Sequence, residues 1–215
     1  SRHLVVTESD RFLVDCGLFQ GHKEDRLRNW EPMGIDPADV GAAVLTHAHI
    51  DHTGYLPRFC RDGFTGPVYA TPATRDLCSI LLPDSAHLQE EQATYMNRKR
   101  LTRHQPALPL YTLADAEYAL RRLRGVPYLQ PFEVVSGTTG RFHEAGHVLG
   151  SAWLELESGG QRVVFSGDLG RSGAPILKDP EPLEAADYLV LESTYGDRLH
   201  GRHDPPAALA DIIRR

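Results

Sequence analysis

A layered α/β fold around one core follows from three observations in the 215-residue sequence. Short apolar runs open and close the chain, and helical periodicities occupy its middle. The two do not alternate as regular βαβ units, which disfavours a doubly wound parallel sheet. The apolar share of 41% against 24% charged residues is that of a globular chain able to bury a sizeable core.

Residues 4–6 and 12–15 are apolar runs around a polar Glu8-Ser9-Asp10 turn, the pattern of a hairpin. A polar loop containing Trp30 follows Cys16-Gly17. Asp36-Pro37-Ala38-Asp39 reads as a helix start and 42–46 as a short buried strand. Residues 53–61 read as a helix entered at Thr53, and 67–70 as a strand. Thr71-Pro72 opens a helical stretch reaching about residue 103, with a break at Pro83. Thr112, with Asp115 three residues on, caps a helix whose apolar stripe is Leu113, Ala116, Leu120 and Leu123. Strands then dominate at 132–135, 141–145, 152–157, 162–166 and 188–192, with Gly159-Gly160 turning the third into the fourth. Asp204-Pro205 opens a last helix running to Arg215.

The net charge of −6 counts weakly against a nucleic-acid partner, because a bound metal would bring positive charge of its own. No run approaches the roughly eighteen apolar residues of a membrane span, and neither a secretory leader nor a membrane partner is expected. Cys16, Cys60 and Cys78 are scattered without a CxxC, which fits a reducing cytoplasm and a role as small buried apolar groups. Arg98-Lys99-Arg100 with Arg103, and Arg121-Arg122 with Arg124, read as solvated helix faces rather than phosphate contacts.

The most informative segment is His47-Ala48-His49-Ile50-Asp51-His52. It places three imidazoles and a carboxylate within six residues, the donors that a borderline-soft divalent ion takes as ligands. At the end of an extended strand, i and i+2 point the same way, so His47 and His49 can share one ion. Asp51 and His52 follow where the chain turns and can address a second. Two more segments offer ligands between or after strands: Gly146-His147-Val148-Leu149-Gly150-Ser151 and Phe165-Ser166-Gly167-Asp168. Glycine lets backbone approach an ion closely, and the Asp168 carboxylate has two oxygens with which to bridge a pair.

In order along the chain, Val14-Asp15-Cys16-Gly17, the 47–52 hexapeptide, Gly146–Gly150 and Ser166–Asp168 resemble the metal motifs of the metallo-β-lactamase superfamily. Glu192-Ser193-Thr194-Tyr195-Gly196-Asp197 resembles motif A of its β-CASP branch, in the RNA-processing subgroup of prokaryotic ribonucleases and the mRNA 3′-end cleavage endonuclease. The resemblance implies an α/β fold of the αββα sandwich type, truncated before most of an inserted β-CASP domain. Residues 1–200 would be the N-terminal portion of the metallo-β-lactamase domain and 201–215 the start of the insert. It implies two zinc ions: one on His47, His49 and His147, one on Asp51 and His52, with Asp168 bridging. Glu192, Asp15 and Asp51 would be the catalytic carboxylates, Asp15 orienting the site and Glu192 positioning a general-acid histidine.

The implied activity is zinc-dependent cleavage of RNA phosphodiester bonds, with single-stranded RNA as partner and a homodimer allowed. The family's last metal-binding histidine and its general-acid histidine have no counterpart within 1–215. The chain alone is therefore expected to be inactive and to hold its second ion more weakly. Two rivals remain. A thioester or lactone hydrolase on the same site would not explain Glu192–Asp197, and an inactive scaffold subunit of an RNA-processing complex would not need the full ligand set.

Overall fold

In the computed structural model, residues 1–198 and 205–214 are described. β1 (Arg2–Val6) and β2 (Arg11–Cys16) form the expected antiparallel hairpin. β3 (Ala42–Val44), β4 (Val68–Ala70) and β5 (Leu123–Gly125) join in parallel to give a sheet of order β1-β2-β3-β4-β5. The second sheet holds β6 (Phe132–Val135), β7 (Thr138–Glu144), β8 (Ala152–Ser158), β9 (Gln161–Phe165) and β10 (Tyr188–Val190) in order β10-β9-β8-β7-β6. It is antiparallel except where β10 runs parallel to β9.

Alternation along the strands builds two cores. Phe12, Val14, Ala42 and Val44 face the second sheet and meet Phe142, Leu154, Leu156 and Phe165. Leu13, Ala43 and Leu45 face the other way, against α3 (Leu56–Arg61), α4 (Pro72–Lys99) and α5 (Leu113–Leu120), where Leu56, Phe59, Leu82 and Ala116 are buried. The order is therefore helices, sheet, sheet. Among the described residues, the outward face of the second sheet carries a small buried cluster of Ala145, Trp153 and Val164. No helix among the described residues is long and apolar enough to cross a membrane.

Several expectations change. The helix expected from Thr53 begins earlier and is broken: α2 (Ile50–Thr53) precedes α3, separated by Gly54 and Tyr55. The Thr53 hydroxyl donates back to the Ala48 and His49 carbonyls instead of capping a helix. α4 runs unbroken through Pro83 for 28 residues and ends at left-handed Arg100. Buried Cys78, Leu82 and Ala86 anchor both sides of Pro83, so core packing overrides a local penalty of about 3 kcal/mol. The Asp36 signal yields only a single 3₁₀ turn, Pro37–Asp39, with Asp36 accepting from the Ala38 N–H. Leu123 belongs to β5 rather than to the helical stripe. The Trp30 loop contains α1 (Lys23–Leu27) and a 3₁₀ turn.

The Thr112–Asp115 capping box and the Gly159-Gly160 hairpin form as expected. All three cysteines are buried and unpaired with one another. The last helix is α6 (Pro205–Arg214). Its expected cap Asp204, its expected end Arg215 and the expected boundary between residues 200 and 201 lie outside the described residues.

Candidate metal centre

The C-terminal ends of β2, β3 and β9 and the turn between β7 and β8 meet at one edge of the paired sheets. The Ala152 N–H, donating to the Thr46 carbonyl at 2.8 Å, ties the two sheets together there. Asp15, next to last in β2, has a φ of 60°, a left-handed conformation that Asp tolerates better than most residues. This breaks the strand's alternation, so Leu13 and Cys16 both enter the helix-side core. The buried Asp15 carboxylate lies among the edge residues.

Asp15 fixes two histidines. It accepts from the Thr46 N–H at 2.8 Å and from the Thr46 hydroxyl at 3.0 Å. Thr46 Oγ1 has one proton and the carboxylate can only accept, so the contact between Thr46 Oγ1 and His47 Nδ1 at 3.1 Å must be donated by the imidazole. That leaves the His47 Nε2 lone pair free. His52 Nδ1 likewise donates to Asp15 at 2.7 Å, turning its Nε2 toward Asp168. Fixing ring orientation through the far nitrogen is how metal-binding histidines are prepared.

Four ligand atoms converge: those of His47, His49, His147 and Asp168 all lie within 4.8 Å of one another. His49 Nδ1 is 3.1 Å from His47 Nε2 and 3.3 Å from His147 Nε2. Asp168 Oδ2 is 3.7 Å from His47 Nε2 and 3.6 Å from His147 Nε2. Bonds of about 2.0–2.1 Å to a tetrahedral ion place ligand atoms about 3.3–3.4 Å apart, and these four separations are close to that spacing. The other Asp168 oxygen, Oδ1, is 3.2 Å from His52 Nε2, and Asp51 Oδ2 is 3.8 Å from that nitrogen. One carboxylate thus faces both groups.

The electrostatics suit a cation. Burial, reinforced by nearby His52, pushes the His47 pKa down to about 3, so the ring is neutral and able to ligate. Burial and neighbouring His49 also lower His147, against the pull of Asp168. Burial opposes charge on His52, but the bonds to Asp15 and Asp168 outweigh it and raise its pKa to about 9. The same His52 contact lowers Asp168 to about 2 in spite of burial. A proton held on His52 between two carboxylates marks a place where positive charge is stabilised.

Two glycines allow the loops to close. A Cβ at Gly17 would fall 1.6 Å from the Asp51 carbonyl oxygen, and one at Gly170 would fall 1.8 Å from the Gly146 carbonyl oxygen. No side chain fits at either place, and each backbone presses on a ligand-bearing loop. A cavity of about 250 Å³ opens beside Asp15, His52 and Asp168, and Glu192, Ser193 and His3 also line it.

His47, His49, His147 and Asp168 are thus brought into one cage, with His52 and Asp15 against it. Asp51 sits at the margin, its side chain 45% exposed. Glu192 is at the cavity rim, where its carboxylate accepts from the Leu169 N–H at 2.6 Å. No hydrogen bond joins it to a histidine among the described residues. His3 bonds Ser1, and His143 stacks on Trp153 and bonds Glu181. His200 and His203 lie outside the described residues. Thr46 was missed by sequence reasoning, although its place directly before His47 at a strand end was a usable signal.

The metallo-β-lactamase superfamily model matches residues 3–210. Ribonuclease TTHA0252 of Thermus thermophilus is 40% identical over 200 residues, covering 93% of this chain and 42% of that protein. Transcription termination factor FttA of Methanocaldococcus jannaschii is 28% identical, with 97% of this chain and 32% of that protein covered. An RNase J-like protein of the same organism is 27% identical, with 91% and 39% covered. The chain therefore spans less than half the length of these relatives. Among solved structures, a HARLDQ-motif mutant metallo-β-lactamase of Cronobacter sakazakii superposes with a TM-score of 0.51 at 20% identity, over 81% of this chain and 58% of that one, which supports the fold. On the family match, with the α/β sheet pair and the histidine cage in agreement, the chain belongs to the metallo-β-lactamase superfamily.

Proposed function

We propose that this chain is the metal-binding part of a zinc-dependent ribonuclease of the β-CASP type, acting on single-stranded RNA. The observation that carries the reading is the cage of four ligand atoms within 4.8 Å of one another, with Asp168 turned to two imidazole groups at once. Its nitrogen-rich donor set suits zinc. The ribonuclease name of the 40%-identical relative supports the choice of RNA.

His47, His49 and His147 would hold the first ion, Asp51 and His52 the second, and Asp168 both. When bound, such a pair supplies Lewis-acid charge to a phosphate oxygen and acidifies water enough to attack at neutral pH. Asp15 keeps the rings of His47 and His52 in their ligating tautomers, directly for His52 and through Thr46 for His47. Glu192 at the rim would position the histidine that protonates the leaving 3′-oxygen. Residues 1–200 are assigned to the metallo-β-lactamase domain and 201–215 to the start of the insert. A cytoplasmic location, consistent with the unpaired cysteines, and a homodimer complete the proposal.

The test is incubation of the full-length protein carrying this sequence with end-labelled single-stranded RNA and, separately, with a thioester. RNA should be cut, chelator should stop the cutting, and zinc should restore it. Strong thioester hydrolysis beside intact RNA would select the other hydrolase class.

A further inference from the structure

His147 is the one imidazole of the cage that does not come from the 47–52 segment, so something must hold its turn in register with His47 and His49. The turn's own backbone closes it with two internal hydrogen bonds, Ser151 N–H to the Val148 carbonyl and Ala145 N–H to the Ser151 carbonyl. The Gly146 N–H donates to the Glu144 carboxylate and the Ala145 carbonyl accepts from the Gly170 N–H, and the groups on either side of His147 and at Gly150 are met by buried hydroxyls. Ser151 Oγ accepts from the His147 N–H at 3.0 Å and the Val148 N–H at 3.2 Å. The Gly150 carbonyl accepts from Thr71 Oγ1 at 2.6 Å and Thr74 Oγ1 at 2.8 Å. Thr71, Thr74 and Ser151 are all fully buried.

Thr71 and Thr74 stand at the first turn of α4, more than seventy residues away in sequence. Gly150 is in the left-handed region at φ 83°, and a Cβ there would lie 2.6 Å from the Thr74 amide nitrogen. The turn is therefore seated directly on the helix end. Thr71 has a second task, capping α4 through the Thr74 N–H. The Thr74 hydroxyl has no other partner among the described residues than the Gly150 carbonyl.

We propose that Thr74, with Thr71, is a positioning residue for metal binding: the first turn of α4 sets the place of His147 in the cage. The inference rests on the zinc-site reading above. Hydrogen bonding outside the ligands typically controls metal affinity by about 10–100-fold. Thr74 acts on the turn rather than on the imidazole, so the low end applies.

The test compares zinc affinity, by competition with a chromophoric chelator, in the full-length protein and its Thr74→Val, Thr74→Ala and Thr74→Ser variants. Thermal unfolding is followed in chelator alongside. Valine keeps volume, and alanine, the strongest helix former, secures folding of the first turn. Both lose the hydroxyl, whereas serine keeps it. The expected result is zinc binding weakened about 10-fold by valine and alanine and near wild-type binding with serine. Unfolding temperatures that fall while zinc affinity stays at the wild-type value would make Thr74 merely structural and overturn the inference. So would a serine variant as weak as valine. Absence of zinc binding in the wild-type protein itself would instead sink the site reading, and the inference with it.

Discussion

Asp168→Ala should strip the second ion, weaken the first and reduce RNA cleavage by about 10³-fold or more, several kcal/mol of lost transition-state stabilisation at 1.36 kcal/mol per tenfold. Among the described residues, Asp168 is the one carboxylate whose two oxygens face different imidazole groups: Oδ2 is 3.7 Å from His47 and 3.6 Å from His147, and Oδ1 is 3.2 Å from His52. Its pKa near 2 keeps it anionic throughout the working range. Without it, the first group has three imidazoles and no carboxylate, and the second has only His52 and the half-exposed Asp51. Metal content by elemental analysis, with cleavage rates on the same sample, checks the result. Full metal content in the alanine variant would remove Asp168 from the site.

Asp15→Ala should cost about 3–5 kcal/mol of stability in chelator, from two or more orphaned groups at about 1–3 kcal/mol each. The loss is large against a total of roughly 5–15 kcal/mol. Asp15 is 1% exposed and answers the Thr46 N–H, the Thr46 hydroxyl and His52 Nδ1 together. Alanine leaves these donors buried without an acceptor, and it also dislikes the φ of 60°. Asp15→Asn separates the two effects. Asn tolerates the backbone and still accepts from Thr46, but its amide presents donors to the His52 ring and loses the charge. It should fold better than alanine and still lose about 10–100-fold in metal affinity. Urea unfolding measures the first effect and zinc titration the second. A loss below about 1 kcal/mol in Asp15→Ala would show that Asp15 is not the polar anchor of this edge.

The parts legible in the sequence were those whose physics is local. The 47–52 segment carries its donors in consecutive positions, and strand ends pointed to His147 and Asp168, so the cage could be read before folding. The Thr112 capping box and the Gly159-Gly160 turn are likewise short-range devices. What escaped depends on contacts between distant residues. α4 survives Pro83 because Cys78, Leu82 and Ala86 are buried against the core. β5 is three residues long and becomes a strand by pairing with β4. Thr74 reaches Gly150 across 76 residues, and nothing near it in sequence announces that bond. For Glu192, the expected general-acid histidine has no counterpart within 1–215, and the Leu169 amide is its hydrogen-bond donor in the structure.

The central claim is that His47, His49, His147 and Asp168 enclose one zinc ion and that Asp168 shares a second with His52 and Asp51. Diffraction from zinc-grown crystals of the full-length protein, measured on both sides of the zinc absorption edge, tests it most directly. Two anomalous peaks are predicted, one within the His47–His49–His147 cage and one between His52 and Asp168 Oδ1. An empty cage with zinc bound elsewhere on the protein would contradict the account.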